Sequence, residues 1–208
     1  MAKPGSRNLI TDVPGIRVGQ AEDAGVRSGV TVILPDRMCV CAVAVAGGGP
    51  GTRETDLLDG GRLVGAADAI CLAGGSAFGL ATADGVMAGL KAEGRGFALV
   101  PRPGVPATPI VPAAILYDLA NGGNKEWGET SPYAALGRRA FDAASDTFRL
   151  GRAGAGTGGR AGLAPGGTGS ASIVTSDGFT VGALAAVNSF GSVRMPGSEA
   201  FWAWPYEI

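Results

Sequence analysis

The apolar positions of this chain fall into short runs of strand type, cut by glycine and proline, with two stretches at helical spacing. GVTVIL at 29–34 reads as a strand that stops at Pro35. MCVCAVAVA at 38–46 reads as a buried strand, broken by Gly47-Gly48-Gly49-Pro50-Gly51. A turn is marked by Pro14-Gly15. The run Ala69-Ile70-Cys71-Leu72-Ala73 predicts a further strand, which meets Gly74-Gly75 and Ser76 before a small-residue helix begins. PAAILYDL at 112–119 can start a helix with proline in its first turn. A second helix is better signalled: Ser131 suits the N-cap and Pro132 the first helical position. Tyr133, Leu136, Ala140, Phe141 and Ala144 then share one face, a core stripe. Two strand runs, 170–175 and 179–187, flank Ser176-Asp177-Gly178 as a hairpin. The glycine tract at 150–169 is open to two readings, a linker or a set of tight turns. The aromatic tail at 201–206 is expected to pack on its own body, a neighbouring subunit or a following segment. Strand runs mixed with helices predict an α+β fold or a layered αββα architecture.

Composition narrows the function classes. The 208 residues are enough for one domain, residues 1–208, or part of a slightly larger one, with a sizeable core. Thirty-seven glycines and thirteen prolines, spread without a period, imply many tight turns and close backbone approaches. A net charge of −1 argues against a nucleic-acid partner, and no basic run suggests a membrane surface. Neither a signal-peptide segment nor a spanning helix is expected. The chain has no histidine, which removes Ser-His-Asp and Cys-His chemistry and the commonest metal ligand. Cys39, Cys41 and Cys71 lie in apolar runs, which suggests reduced thiols and a cytoplasmic setting. Metal ligands do not cluster around them, and no cofactor is implied.

The Gly74-Gly75-Ser76 junction is the first candidate site. Two glycines let backbone amides approach a ligand, and Ser76 can cap the helix, whose N-terminus offers free N–H groups. Such a junction can hold an oxyanion or a carboxylate; it can equally be a tight turn without a ligand.

Six segments match one family together and in order: GGGPGTRETDLL (47–58), AICLAGGSAFGL (69–80), IVPAAILYDL (110–119), ALGRRAFDAA (135–144), GRAGAGTG (151–158) and VGALAAVNSFG (181–191). The chain thereby resembles the DmpA-type self-cleaving peptidase family, which contains L-aminopeptidase/D-esterase, β-peptidyl aminopeptidases and the nylon-oligomer hydrolase. The resemblance implies a four-layer αββα sandwich like that of N-terminal-nucleophile hydrolases, with different connectivity. It implies a precursor that cleaves itself into α and β chains. The new N-terminal Ser or Thr of β is the nucleophile, and its own amine can replace the missing imidazole as base. This chain resembles the α part, and the β chain would be its partner, in homo-oligomers of αβ units, often tetramers. The implied substrate is a small peptide or other linear amide.

Residue by residue, Tyr117 matches the family tyrosine near the nucleophile, and Asn188 the oxyanion-hole asparagine. The alternatives are a surface tyrosine and a turn asparagine. Gly74, Gly75, Ser76 and Phe78 are expected to line the substrate cleft. Arg53, Glu54 and Asp56 form a polar island, expected to pair locally. Two positions depart from the family pattern. Leu163 stands where the nylon-hydrolase branch has a lysine, with Arg160 three residues earlier. Ala113 stands where the aminopeptidases have an ammonium-binding glutamate; the acid is then expected from Asp118, from β or from a neighbouring subunit. An acyltransferase of the ornithine-acetyltransferase kind, or a non-catalytic small-molecule-binding subunit lacking β, are the alternatives.

Overall fold

The computed structural model describes residues 2–206; Met1, Glu207 and Ile208 lie outside them. The turn at Pro14-Gly15, with Gly15 in the left-handed region at φ +81°, sends the chain into β1 (Ile16–Asp23). β1 pairs antiparallel with β2 (Ser28–Pro35), Ile16 facing Pro35 and Asp23 facing Ser28. β3 (Ile70–Ala73) lies antiparallel on the other side of β2, and β4 (Ala113–Ile115) runs parallel to β3. The short strand Thr52–Arg53 closes this five-stranded sheet.

β2 is covered on both faces, which its continuous apolar run anticipates. Val30, Val32 and Leu34 join the core under α1 (Thr82–Ala92) and α2 (Tyr133–Asp142), with Val86, Leu90 and Leu136. On the opposite face Thr31 Oγ1 accepts the Ala155 N–H at 3.0 Å. The glycine tract is therefore packed core and not a linker: Ala153, Gly154, Ala155 and Gly156 are buried. Glycine is required there by close approach, since a Cβ on Gly29 would stand 2.3 Å from Gly154 O. Beyond the tract lies a second sheet, the hairpin β5 (Gly167–Val174) and β6 (Thr180–Val187), with Lys3–Pro4 at its edge. The predicted turn closes it, with Gly178 at φ +90°.

The two helices meet at glycines. A Cβ on Gly85 would stand 1.9 Å from Ala134 O, and one on Gly137 2.1 Å from Thr82 O. Alanine at an open helical glycine usually stabilises by about 1 kcal/mol. Here the sign should reverse. Gly85→Ala should cost roughly 2–3 kcal/mol and lower the melting temperature by about 5–10 °C. An unchanged or raised melting temperature in a thermal scan would refute this packing.

Four expectations need correction. The 38–46 run is not a buried strand: Cys39–Val40 alone pairs, with Ala66–Ala67, and Val40 is 92% exposed. Its apolar side chains line an open cleft with Ile70 and Ile115, and no layer among the described residues covers them. The 112–119 segment holds the short strand Ala113–Ile115 and no helix. It is too short to hold a helix alone, and the bonds from Cys71 N–H to Pro112 O and from Leu116 N–H to Ala73 O draw it beside β3. The serine caps are absent: Pro132 caps α2, while Gly75 precedes a 3₁₀ turn (Ser76–Ala81) that feeds α1. Finally, Cys71 alone is buried, and burial pushes its thiol up to about 12; Cys39 and Cys41 are half-buried. Among the described residues no helix is long and apolar enough to cross a membrane.

Candidate active site

The Gly74-Gly75-Ser76 amides are already engaged. Gly74 N–H donates to Gly29 O (2.9 Å), Gly75 N–H to Asp118 Oδ1 (2.7 Å) and Ser76 N–H to Leu116 O (3.0 Å). The tight turn binds an anion, but that anion is the chain's own Asp118, 3% exposed. Ser28 Oγ donates to Asp118 Oδ2 at 2.7 Å, and the Tyr133 hydroxyl donates to Ser28 Oγ at 2.9 Å. The order of donors follows from Tyr133, whose phenol burial pushes up to about 12, so that it stays protonated. Gly75 must be glycine here: it sits at φ +85°, and a Cβ would stand 2.1 Å from the Tyr133 ring. Ser76 also takes the left-handed region, at φ +52°. Asp118 is thus a structural anchor, spoken for on both oxygens, which corrects its expected use as an ammonium ligand. Ala113, buried on β4, offers no charge in its place.

The same anchor positions the exposed residue before it. Tyr117 lies between Leu116 and Asp118, both tied to the 74–76 turn, so its main chain is fixed while its ring is 57% exposed. Across the cleft, β6 delivers Asn188 just past its last residue, Val187. Asn188 Nδ2 donates to Tyr117 O at 2.9 Å, and Asn188 Oδ1 accepts the Arg160 N–H at 2.8 Å. A carbonyl on one side and an N–H on the other fix which way the amide points. The second Nδ2 proton has no partner among the described residues. The fold therefore joins Tyr117 and Asn188, 71 positions apart, through a side-chain bond. What remains is one oriented amide N–H and one exposed phenol on a pinned backbone, donors suited to a carbonyl oxygen that gains charge.

The predicted site residues divide. Gly74, Gly75 and Ser76 join the Tyr117–Asn188 cluster as its support. Phe78 is exposed, with its ring edge-on to Trp127 at 5.5 Å, and Trp127 in turn packs on Tyr133. Arg53 does not pair with Glu54 or Asp56; it bridges to Asp84 at 2.7 Å and caps Leu80 O, bracing the entry to α1. Leu163, where a lysine was expected, is an exposed side chain beside the cluster. Sequence reading missed the Tyr133–Ser28–Asp118 chain and the setting of Arg160. The signal for the second was present: Arg152 and Arg160 bracket a glycine tract that holds no acid. Among the described residues no three His, Cys, Asp or Glu side chains gather as a metal site.

Comparison with known proteins adds three kinds of finding. A family model described as Peptidase family S58 matches residues 8–203. An uncharacterized aminopeptidase of Mycobacterium tuberculosis is 47% identical over 203 residues, covering 94% of this chain and 57% of that protein. A Burkholderia sp. beta-aminopeptidase superposes with a TM-score of 0.72 at 30% identity, over 93% of this chain and 55% of its own. The L-aminopeptidase D-Ala-esterase/amidase of Ochrobactrum anthropi superposes with a TM-score of 0.71 at 24% identity, over 92% and 56%. That structure is described as a variant of the Ntn hydrolase fold, and the likeness extends the fold to this chain. The chain spans little more than half the length of these relatives, 55–57%.

Proposed function

The chain belongs to peptidase family S58, and from that premise we propose that it is the α-chain portion of a self-processed N-terminal-nucleophile hydrolase. The enzyme cleaves amide bonds of short peptides, amino-acid amides or related linear amides through an acyl-enzyme. The observation that carries this reading is the Tyr117–Asn188 pair, held by Asp118 and Arg160 in a chain without histidine.

In the proposed reaction the hydroxyl of an N-terminal Ser or Thr, supplied by a β chain, attacks the substrate carbonyl carbon. Its proton passes to that residue's own α-amine. The carbonyl oxygen takes up the charge against the free Nδ2 proton of Asn188, with the Tyr117 phenol as a second donor. The C–N bond then breaks, the leaving amine takes the proton, and water hydrolyses the ester to free the acid and restore the hydroxyl.

The second sheet supports a missing partner. Ordinary half-buried sheets turn polar residues outward. On β5 and β6 the polar Thr168, Ser170 and Ser172 turn inward, while Ala171, Ile173, Val181, Ala183, Ala185 and Val187 stand exposed, Val181 at 53%. An apolar face of that extent calls for a cover. A β chain supplying the last layer would complete the αββα sandwich over residues 1–208. The uncovered 38–46 cleft has the same explanation. Assembly into αβ oligomers, tetramers among them, and residence in the cytoplasm, where its free cysteines stay reduced, complete the proposal.

Intact-mass and N-terminal sequencing of all that co-purifies with this chain tests the reading. A smaller companion that begins with Ser or Thr, with hydrolysis of amino-acid amides, is the expected result. A single species without a companion, inert toward amides, would overturn it.

A further inference from the structure

Beside Asn188 lies a cavity of about 410 Å³ whose charged walls are three arginines, Arg27, Arg152 and Arg160. Most arginines of this chain pair with a carboxylate: Arg7 with Asp146, Arg17 with Asp36, Arg53 with Asp84 and Arg149 with Glu22, for example. None of these three does so among the described residues, although the chain carries a net charge of −1. Three guanidiniums that no carboxylate bonds favour an anion within the cavity, beyond the partial offset from the Asp118 carboxylate beneath its floor.

The cavity is built. Arg27 is held in the left-handed region at φ +55°, an unfavourable backbone for a long side chain, by a pair of bonds with Asn121. Asn121 Nδ2 donates to Arg27 O at 2.6 Å, and Arg27 Nη1 donates to Asn121 O at 3.3 Å. The side chain is thus fixed at the wall, with most of its donors left over. Gly158 and Gly159 form the floor, buried and irreplaceable: a Cβ on Gly158 would stand 2.3 Å from Asp118 Oδ2. Asp118 is the carboxylate beneath that floor, and its oxygens are taken by Ser28 and Gly75. The floor also touches the candidate oxyanion donor, since a Cβ on Gly159 would lie 3.8 Å from Asn188 Cβ. Arg160 spans the two sites, its N–H on Asn188 and its side chain on the cavity.

We infer that this cavity receives the free carboxylate of the substrate, so that the enzyme favours dipeptides and short ω-amino-acid amides ending in an acid over the same compounds capped as amides. The inference rests on the hydrolase reading of the Tyr117–Asn188 pair and names its substrate class. Geometry favours it. In a dipeptide the terminal carboxyl carbon lies only about 4 Å from the scissile carbonyl carbon, so a carboxylate subsite must adjoin the oxyanion donor, and the cavity floor at Gly159 adjoins Asn188. Guanidinium forks match carboxylates in two-bond geometry. The volume suits a small molecule, within the ordinary range of roughly 300–1,000 Å³ for ligand sites. Leu163, exposed at the wall, gives methylene groups an apolar surface.

The test uses the assembled protein, this chain together with the β chain proposed above. kcat/KM is measured for L-alanyl-L-alanine and for its C-terminal amide, with L-alanine p-nitroanilide as a third substrate. The acid should be preferred about tenfold or more, mostly through KM, the scale of a charge-assisted pair. Arg152→Met and Arg27→Met should each bring the ratio of acid to amide towards one. In the native protein about 0.5 M KCl should also shrink it, because the arginines are exposed; this readout needs no variant to fold. Equal rates on acid and amide, or a preference that survives both variants, overturns the inference and leaves the hydrolase reading in place. Variants that release the β chain from a native protein showing no acid preference would assign the arginines to β-chain acids, and also overturn it. No turnover of any of the three substrates overturns the hydrolase reading and this inference together.

Discussion

Asn188→Ala should lower kcat for amide hydrolysis about 100-fold or more, the scale of a lost oxyanion donor. The side chain has two separable duties in this structure. Its Oδ1 and one Nδ2 proton tie the Arg160 N–H to Tyr117 O, and the second proton, without a partner among the described residues, is the donor proposed for the substrate. Asn188→Asp removes both Nδ2 protons and keeps only the Arg160 bond. Its carboxylate keeps the bond from Arg160 but offers no donor to Tyr117 O and repels a developing oxyanion. Activity should fall at least as far in Asn188→Asp as in Asn188→Ala. The loss should lie in kcat, with KM changed little, because the donor acts on charge that appears only in the transition state. The site is half-buried at a strand end, so either variant should melt within a few degrees of the native protein. Turnover within a factor of about three of native in both variants would exclude Asn188 from catalysis.

Asp118→Ala should be the most damaging substitution to stability in the site region, costing about 3–5 kcal/mol. It leaves two buried donors, Ser28 Oγ and Gly75 N–H, without an acceptor, and empties the space beneath Gly158. For a chain of this size the melting temperature should fall by roughly 10 °C. Asp118→Asn tests the mechanism. Its carbonyl can keep the Gly75 bond, but Ser28, which accepts from Tyr133, then faces an NH₂ group with no acceptor for its own proton. The cost should therefore lie between native and alanine. The effect should reach function too, because Gly75, Leu116 and Asp118 hold the backbone on which Tyr117 stands. An Asp118→Ala protein that melts like the native one would refute the anchor.

How much of this was legible in the sequence depended on how local the cause was. The 176–178 turn, the strand that ends at Pro35 and the Tyr133–Phe141 stripe are fixed by neighbours within a few positions, and each lies where the pattern put it. The 112–119 segment was misread because its alanines suit a helix locally, while its hydrogen bonds go to β3, some forty positions away. MCVCAVAVA was misread differently. Its pattern reports a burial that the described residues do not supply. The glycine tract gave no local signal in either direction, since glycine permits both a linker and the close contacts with β2 that the fold selects.

The candidate site shows the same division. The order of six motifs identified the family, and with it Tyr117 and Asn188 as candidates, because both lie inside the matched motifs. The missing histidine removed imidazole from the bases this chain can itself supply. Only the tertiary structure decided that the Gly74–Ser76 amides are engaged within the chain, Gly75 on Asp118, that Asn188 keeps one Nδ2 proton without a partner among the described residues, and that Arg27, Arg152 and Arg160 line one cavity with no carboxylate bonded to them. Residue type and short-range spacing record what a segment can do. Which donor meets which acceptor depends on pairings over tens of residues, and those are settled only when the sheets and the glycine contacts between them close.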